Sequence, residues 1–277
     1  MNASTFAADS RDANALRVLA RCGEIGAVLV AVVLSASVAL RLTAVAGPDG
    51  AMVPSLPEAV EAGVRLAHRI AAMGVTVLAL LVAWVAWSRR AIDRRGLAPA
   101  VTIVLLTVLL ALLGRWTAGY RHPEVTVGNV AGGVALVGVF WALREAARGA
   151  ARRLDSVPAA LARFAALAVI AQAGLGAATS ALRSSIELLG PVHVATALLV
   201  AAQVAIAAWP QRRAGNAAGP AQLLLGLTAL QLALGALSLA PERATLLVWL
   251  HTMVAAGMVS ACLALASRLE RNGVRLH

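Results

Sequence analysis

Two histidines stand inside apolar sequence. In Gln231 to Met258, QLALGALSLAPERATLLVWLHTMVAAGM, one apolar run ends near Ala240, a tight turn Pro241-Glu242-Arg243 follows, and a second run carries His251. That places the imidazole about two helical turns in, roughly 10 Å from the start of its helix. Ionisable side chains inside hydrocarbon are costly and usually face a bundle interior, so a histidine there is read first as a functional group. Neutral imidazole binds metals and also carries protons. The same phrase occurs once more upstream: Gln172-Ala-Gly-Leu-Gly176, a short turn and Pro191-Val-His193 match Gln231-Leu-Ala-Leu-Gly235, a turn and His251. Two helix hairpins are expected to face each other, each contributing one imidazole.

The elements that must hold these rings are membrane helices. With 277 residues, 60% hydrophobic content and only 13% charged residues, and a mean hydropathy of +0.82, the composition excludes a soluble globular domain. Several runs reach the roughly 20 apolar residues that cross a hydrocarbon core of about 30 Å. Each backbone amide must then be satisfied within its own segment, which predicts helices; no period-2 alternation of the barrel kind is present. All 24 basic residues are arginines, and the formal charge is +11. Nucleic-acid binding does not follow, because the arginines cluster on alternate loops. Seventeen fall on one side, among them Arg89, Arg90, Arg94, Arg95, Arg152 and Arg153, against seven on the other. The positive-inside rule therefore predicts an even number of spans with both termini cytoplasmic. Cys22 and Cys262 lie in or near apolar segments and offer neither a disulfide framework nor zinc spacing. The apolar run that ends before Arg41 reads as the first span rather than a cleaved leader.

Eight spans are predicted: 24–42, 64–88, 98–117, 125–146, 158–182, 190–209, 219–240 and 244–267. The fold class expected is all-α, a polytopic membrane protein of eight transmembrane helices in two tandem four-helix bundles. Its parts are a cytoplasmic N-terminal segment (1–23), a first four-helix half (24–147), a cytoplasmic linker (148–157), a second four-helix half (158–268) and a cytoplasmic tail (269–277). The outer connection 42–63, rich in Gly and Pro, is the candidate structured loop or lid. Trp116, Tyr120 and Trp249 near outer ends, and Trp84, Trp87, Trp141 and Trp209 near inner ends, fit interfacial belts. An internal repeat links the halves: His68 opens span two as His193 opens span six, and Asn129 occupies in span four the place of His251 in span eight.

Spans two, four, six and eight all enter from outside, so His68, His193 and His251 share one depth. Cofactor sites in bundle cores are built from side chains on facing helices. Two neutral imidazoles in an apolar slot, with no Cys or carboxylate close by, suit haem iron better than zinc or calcium. Small residues around them, including Gly174, Gly176, Ala195, Ala256 and Gly257, leave room for a flat macrocycle; ordinary small-residue helix contacts would have the same composition. Outer arginines (Arg41, Arg69, Arg115, Arg183 and Arg243) could receive propionates or simply snorkel to the headgroups. Arg69, beside His68, is the strongest of these candidates. His122, in the turn Tyr120-Arg121-His122-Pro123, is either a substitute ligand in the first half or a solvated loop histidine.

The eight-span duplicated layout resembles the heme A synthase family of cytochrome oxidase assembly over roughly residues 20–268. The resemblance is carried by Arg41-Leu-Thr43 before a long outer loop, His68-Arg69 opening span two, Leu113-Gly114 to Gly119 before span four, and the Gln-x-x-Leu-Gly hairpins leading to His193 and His251. It implies an iron-bearing haem b between His193 and His251; Arg69 and Arg183, among the outer arginines above, are the further cofactor-binding candidates. It also implies haem O as substrate in the first half at His68, a metal-ligating and catalytic position, where a ring methyl group is oxidised to a formyl group. The implied partners are haem O and the enzyme that makes it, a membrane electron acceptor and the cytochrome oxidase assembly machinery, with no nucleic acid; a homo-oligomer is compatible. The implied location is the inner (plasma) membrane of a bacterium. Two positions depart from the family pattern: Arg65 stands where a glutamate is expected and Asn129 where a ligand is expected. Glu61, two turns before His68, could supply the missing carboxylate from the same helical face. The departures leave open a haem-binding assembly factor that has lost first-half catalysis. A transporter with proton-relay histidines is a further class, although no Pro- or Gly-broken helix pair occupies matching midplane positions.

Overall fold

The computed structural model describes residues 3–46, 52–88, 94–116, 123–149, 156–182, 186–238 and 245–272. The chain runs through α1 (Ala3–Leu42), β1 (Ala44–Ala46), β2 (Met52–Pro54), α2 (Glu58–Ser88), α3 (Arg94–Trp116), α4 (Pro123–Ala147), α5 (Val157–Leu182), α6 (Leu189–Ala208), α7 (Ala218–Leu237) and α8 (Thr245–Asn272). Eight of these helices are long and apolar enough to cross a membrane. Among the described residues, apart from one small hairpin, the chain is all-α, as hydrocarbon demands of a chain that must bond its own amides.

The expected spans coincide with these helices except at their ends, where 117, 239–240 and 244 lie outside the described residues. α1 has 40 residues, about 60 Å at 1.5 Å per residue, twice the thickness of the hydrocarbon. The polar N-terminal segment is its direct continuation, since residues 3–22 contain neither Pro nor Gly to stop a helix. Leu19 and Cys22 on that extension are buried. α2 begins at Glu58, earlier than expected, with Glu58 and Glu61 in its first turn, where carboxylates favour a helix N-terminus. The outer connection between α1 and α2 is structured: β1 pairs antiparallel with β2 in the register Ala44↔Pro54, Val45↔Val53 and Ala46↔Met52, and the Ser55 hydroxyl donates to the Thr43 carbonyl at 2.7 Å. The turn Pro241-Glu242-Arg243 and most of the linker 148–157 lie outside the described residues.

In the first half α1 packs on α2, α2 on α3, α3 on α4, and α4 returns to α1; in the second α5 packs on α6, α6 on α7, α7 on α8, and α8 returns to α5. α1 and α4 meet α8, and α4 also meets α5. Small residues allow these approaches, because association in lipid relies on close van der Waals packing. α5 turns Ala159, Ala162, Ala165 and Ala166 inward. A Cβ at Gly26 of α1 would run into the Phe140 ring of α4, itself fully buried. Trp84, Trp87 and Trp209 face outward as an interfacial belt requires. Trp249 departs from that expectation: its indole turns inward from α8 and donates to the carbonyl and hydroxyl of Ser35 on α1, each at 3.2 Å.

Candidate functional site

In the second ring of helices α6 and α8 stand diagonally, separated by α5 and α7. His193 lies near the start of α6 and His251 near the start of α8, so both imidazoles are set at similar depth below the same end. Their ring centroids are 6.5 Å apart and the planes cross at 70°. Both residues are half-buried.

Each ring is seated by the helix before it. From α5, the Gln172 amide nitrogen bonds His193 Nδ1 at 2.9 Å and donates to the His193 carbonyl at 2.8 Å. From α7, the Gln231 amide nitrogen bonds His251 Nε2 at 3.1 Å. One turn further along each helix is a glycine: a Cβ at Gly176 would come within 3.0 Å of His193 Cε1, and one at Gly235 within 3.3 Å of His251 Cε1. The Thr179 hydroxyl, donating to the Leu189 carbonyl at 3.3 Å, ties α5 to the first turn of α6. The repeated Gln-x-x-x-Gly spacing thus has a physical content that its sequence hid: an amide to hold the ring, then a bare backbone to lay it against. The two glutamines entered the sequence argument only as markers of the repeat.

The donor set fits a haem better than a protein-only metal cage. Among the described residues no three His, Cys, Asp or Glu side chains come together, as zinc or calcium sites require. A macrocycle supplies four in-plane nitrogens and asks the protein for two axial ones. Two imidazole–metal bonds of about 2.0–2.1 Å, each extended by a ring radius of about 1.1 Å, put axial imidazole centroids roughly 6.3 Å apart, against 6.5 Å here. An edge-to-face ring pair also falls in that range, so the distance is shared by both arrangements. His251 Nδ1 and Gln231 Oε1 are both buried with no hydrogen-bond partner, at a cost of about 1–3 kcal/mol each. With the Gln231 amide nitrogen donating to Nε2, the unpartnered Nδ1 of the neutral ring carries the N–H, and the lone pair that a metal would take is on Nε2.

Gly176→Val and Gly235→Val are expected to push the adjacent imidazole out of its seat. Overpacking of this kind costs about 1–3 kcal/mol, readable as a lower midpoint in thermal unfolding of the detergent-solubilised protein, whereas Gly63→Val, which has open space around it, should leave that midpoint near wild type.

The first-half candidates are brought together less fully. His68 is half-buried and lies one turn before Ala71 on the stripe of α2 that continues through Val75, Ala79 and Val82. Asn129 is half-buried on α4, and α2 and α4 stand diagonally, as α6 and α8 do. Glu61 is engaged elsewhere: its carboxylate is ion-paired with the Arg65 guanidinium one turn along α2. Arg69 and Arg115 are exposed and Arg41 is partly buried. Arg183, Arg243 and His122 lie outside the described residues. Compared with known proteins, no family model and no curated sequence matches this chain.

Proposed function

We propose that this chain is a heme A synthase-like membrane oxidoreductase, with haem b held between His193 and His251 in the second half and haem O oriented by His68 in the first. The observation that carries the reading is the imidazole pair at 6.5 Å, each ring backed by its own glutamine and glycine. When bound, the haem supplies one-electron redox chemistry. His193 and His251 would hold that haem, each ring seated by the Gln172 or Gln231 amide, with bare backbone at Gly176 and Gly235 against the rings.

Oxidation of a methyl group to a formyl group takes one water and releases four electrons and four protons. The reading therefore includes a membrane electron acceptor. It also places both termini in the cytoplasm of a bacterial inner-membrane protein, on the strength of the arginine-rich alternate loops. Partners of the same reading are the enzyme that makes haem O and the cytochrome oxidase assembly machinery.

Purified protein supplied with haem O and an oxidant, followed by extraction of its pigments, is expected to yield haem A. His68→Ala should lower that yield about 100-fold, the scale on which mispositioning a reacting group acts, while leaving the second-half haem b spectrum in place. A second reading is favoured by the Glu61–Arg65 ion pair and by Asn129: a haem-binding assembly factor without first-half catalysis. An intact haem b spectrum with no haem A formed would select it and overturn the enzyme.

A further inference from the structure

We propose that the arginine-rich end of the α1–α4 pair holds the phosphate of an anionic phospholipid. Arg21 and Arg148 bind its headgroup, and the α1 face formed by Ile25, Val28 and Val32 seats one of its acyl chains.

Three guanidiniums converge on one carboxylate there. Glu24 of α1 is ion-paired with Arg144 of α4 and with Arg148 just past its end. Arg21, one turn before Glu24, adds a third positive charge within electrostatic reach of the same carboxylate. Arg144 is committed elsewhere as well: its side chain is 14% exposed, it bonds Glu145, and it lies over the Trp141 ring. Glu145 brings no net negative charge to the surface, because it is buried and shared with Arg271. Arg21 and Arg148 are exposed, so the excess positive charge faces outward. Guanidinium binds phosphate oxygens through paired N–H donors, and basic pockets between membrane helices take anionic headgroups.

The side chains below the arginines select a lipid over a free phosphate. Ile25, Val28 and Val32 follow Arg21 by 4, 7 and 11 residues, the spacing of one helix face, and all three are exposed. From Arg21 to Val32 is about 16 Å at 1.5 Å per residue, the depth of one leaflet of a hydrocarbon core about 30 Å thick. Charge and then apolar surface thus succeed each other down one strip, in the order in which a phospholipid carries phosphate and chain. The site is separate from the histidine pair.

The test uses the full-length protein in nonionic detergent, titrated with phosphatidylglycerol, phosphatidylcholine or inorganic phosphate and read by native mass spectrometry and thermal unfolding. Phosphatidylglycerol is expected to be retained and to raise the unfolding midpoint, and the other two to do neither. Arg21→Gln and Arg148→Gln should each weaken its binding about fivefold, and the double variant about 30-fold, the scale of one arginine at a membrane surface. Arg213→Gln, exposed on the α6–α7 connection, should leave binding unchanged. Arg148→Gln breaks an ion pair, so if it fails to fold, Arg21→Gln decides alone. Equal retention of phosphatidylcholine would reduce the strip to bulk lipid contact, and a phosphate effect as large as the lipid's would make it a soluble-anion site. Equal losses in Arg213→Gln and Arg21→Gln would leave only diffuse attraction. Each of these results, or no binding of phosphatidylglycerol, overturns the proposal.

Discussion

Purified His193→Ala and His251→Ala proteins are each expected to lose the six-coordinate, low-spin haem b spectrum that the wild-type protein should show. The two rings reach toward each other from diagonal helices, at a centroid separation of 6.5 Å. Removing either leaves a single imidazole, and the side chains bonded to the rings, the Gln172 and Gln231 amides, are poor iron ligands. Partners one shell further out cost about 10- to 100-fold in affinity when lost, so loss of a direct ligand should exceed that. Haem retained by either variant should be five-coordinate and high-spin. His68→Ala, on α2 of the other ring of helices, should leave the second-half spectrum untouched, which separates a specific ligand loss from general unfolding. A six-coordinate spectrum in both His193→Ala and His251→Ala would remove the haem assignment altogether.

The location of these rings was legible in the sequence because two independent patterns coincide there: apolar runs of spanning length, and a repeated phrase whose glutamine is followed by histidine 21 residues on in one copy and 20 in the other. Apolar length finds spans well, since the hydrocarbon imposes one requirement on every one of them. It says little about where a helix stops outside the membrane. α1 continues back to Ala3 because its polar residues are compatible with helix, and α2 starts at Glu58 for the same reason. The three-residue strands flanking 47–51 were equally hidden, being too short for an alternation signal. The partner of Glu61 was a choice between faces and neighbours. Its sequence offset placed it on the His68 side of α2, but the nearer i, i+4 cation at Arg65 engages its carboxylate. The glutamine–imidazole bonds depend on which helices are adjacent, and adjacency is a tertiary fact. The same holds for Trp249, whose position near a helix end predicted a lipid interface while Ser35 on α1 gave its N–H a part-buried partner.

Glu145→Ala is expected to be the most destabilising single change outside the histidine site. At the end of the molecule where α8 finishes, the Glu145 side chain is 3% exposed and bonds two guanidiniums: Arg144 beside it on α4, and Arg271 of α8 at 2.7 Å. Arg144 in turn reaches Glu24 of α1 at 2.8 Å, and its guanidinium lies 4.4 Å from the centre of the Trp141 ring. On the next helix face Glu270 of α8 is ion-paired with Arg163 of α5. The cluster therefore joins α1, α4, α5 and α8, the helices through which the two halves meet. Removing the most buried carboxylate leaves Arg144 with Glu24 but takes from Arg271 its carboxylate, and losing one member of a buried ion pair costs about 3–5 kcal/mol. Glu145→Gln, which keeps the shape and one acceptor oxygen, should lose less. Thermal unfolding in detergent reads both variants. Equal midpoints for wild type and Glu145→Ala would mean that water, rather than the carboxylate, satisfies these arginines, and that the halves are held by helix packing alone.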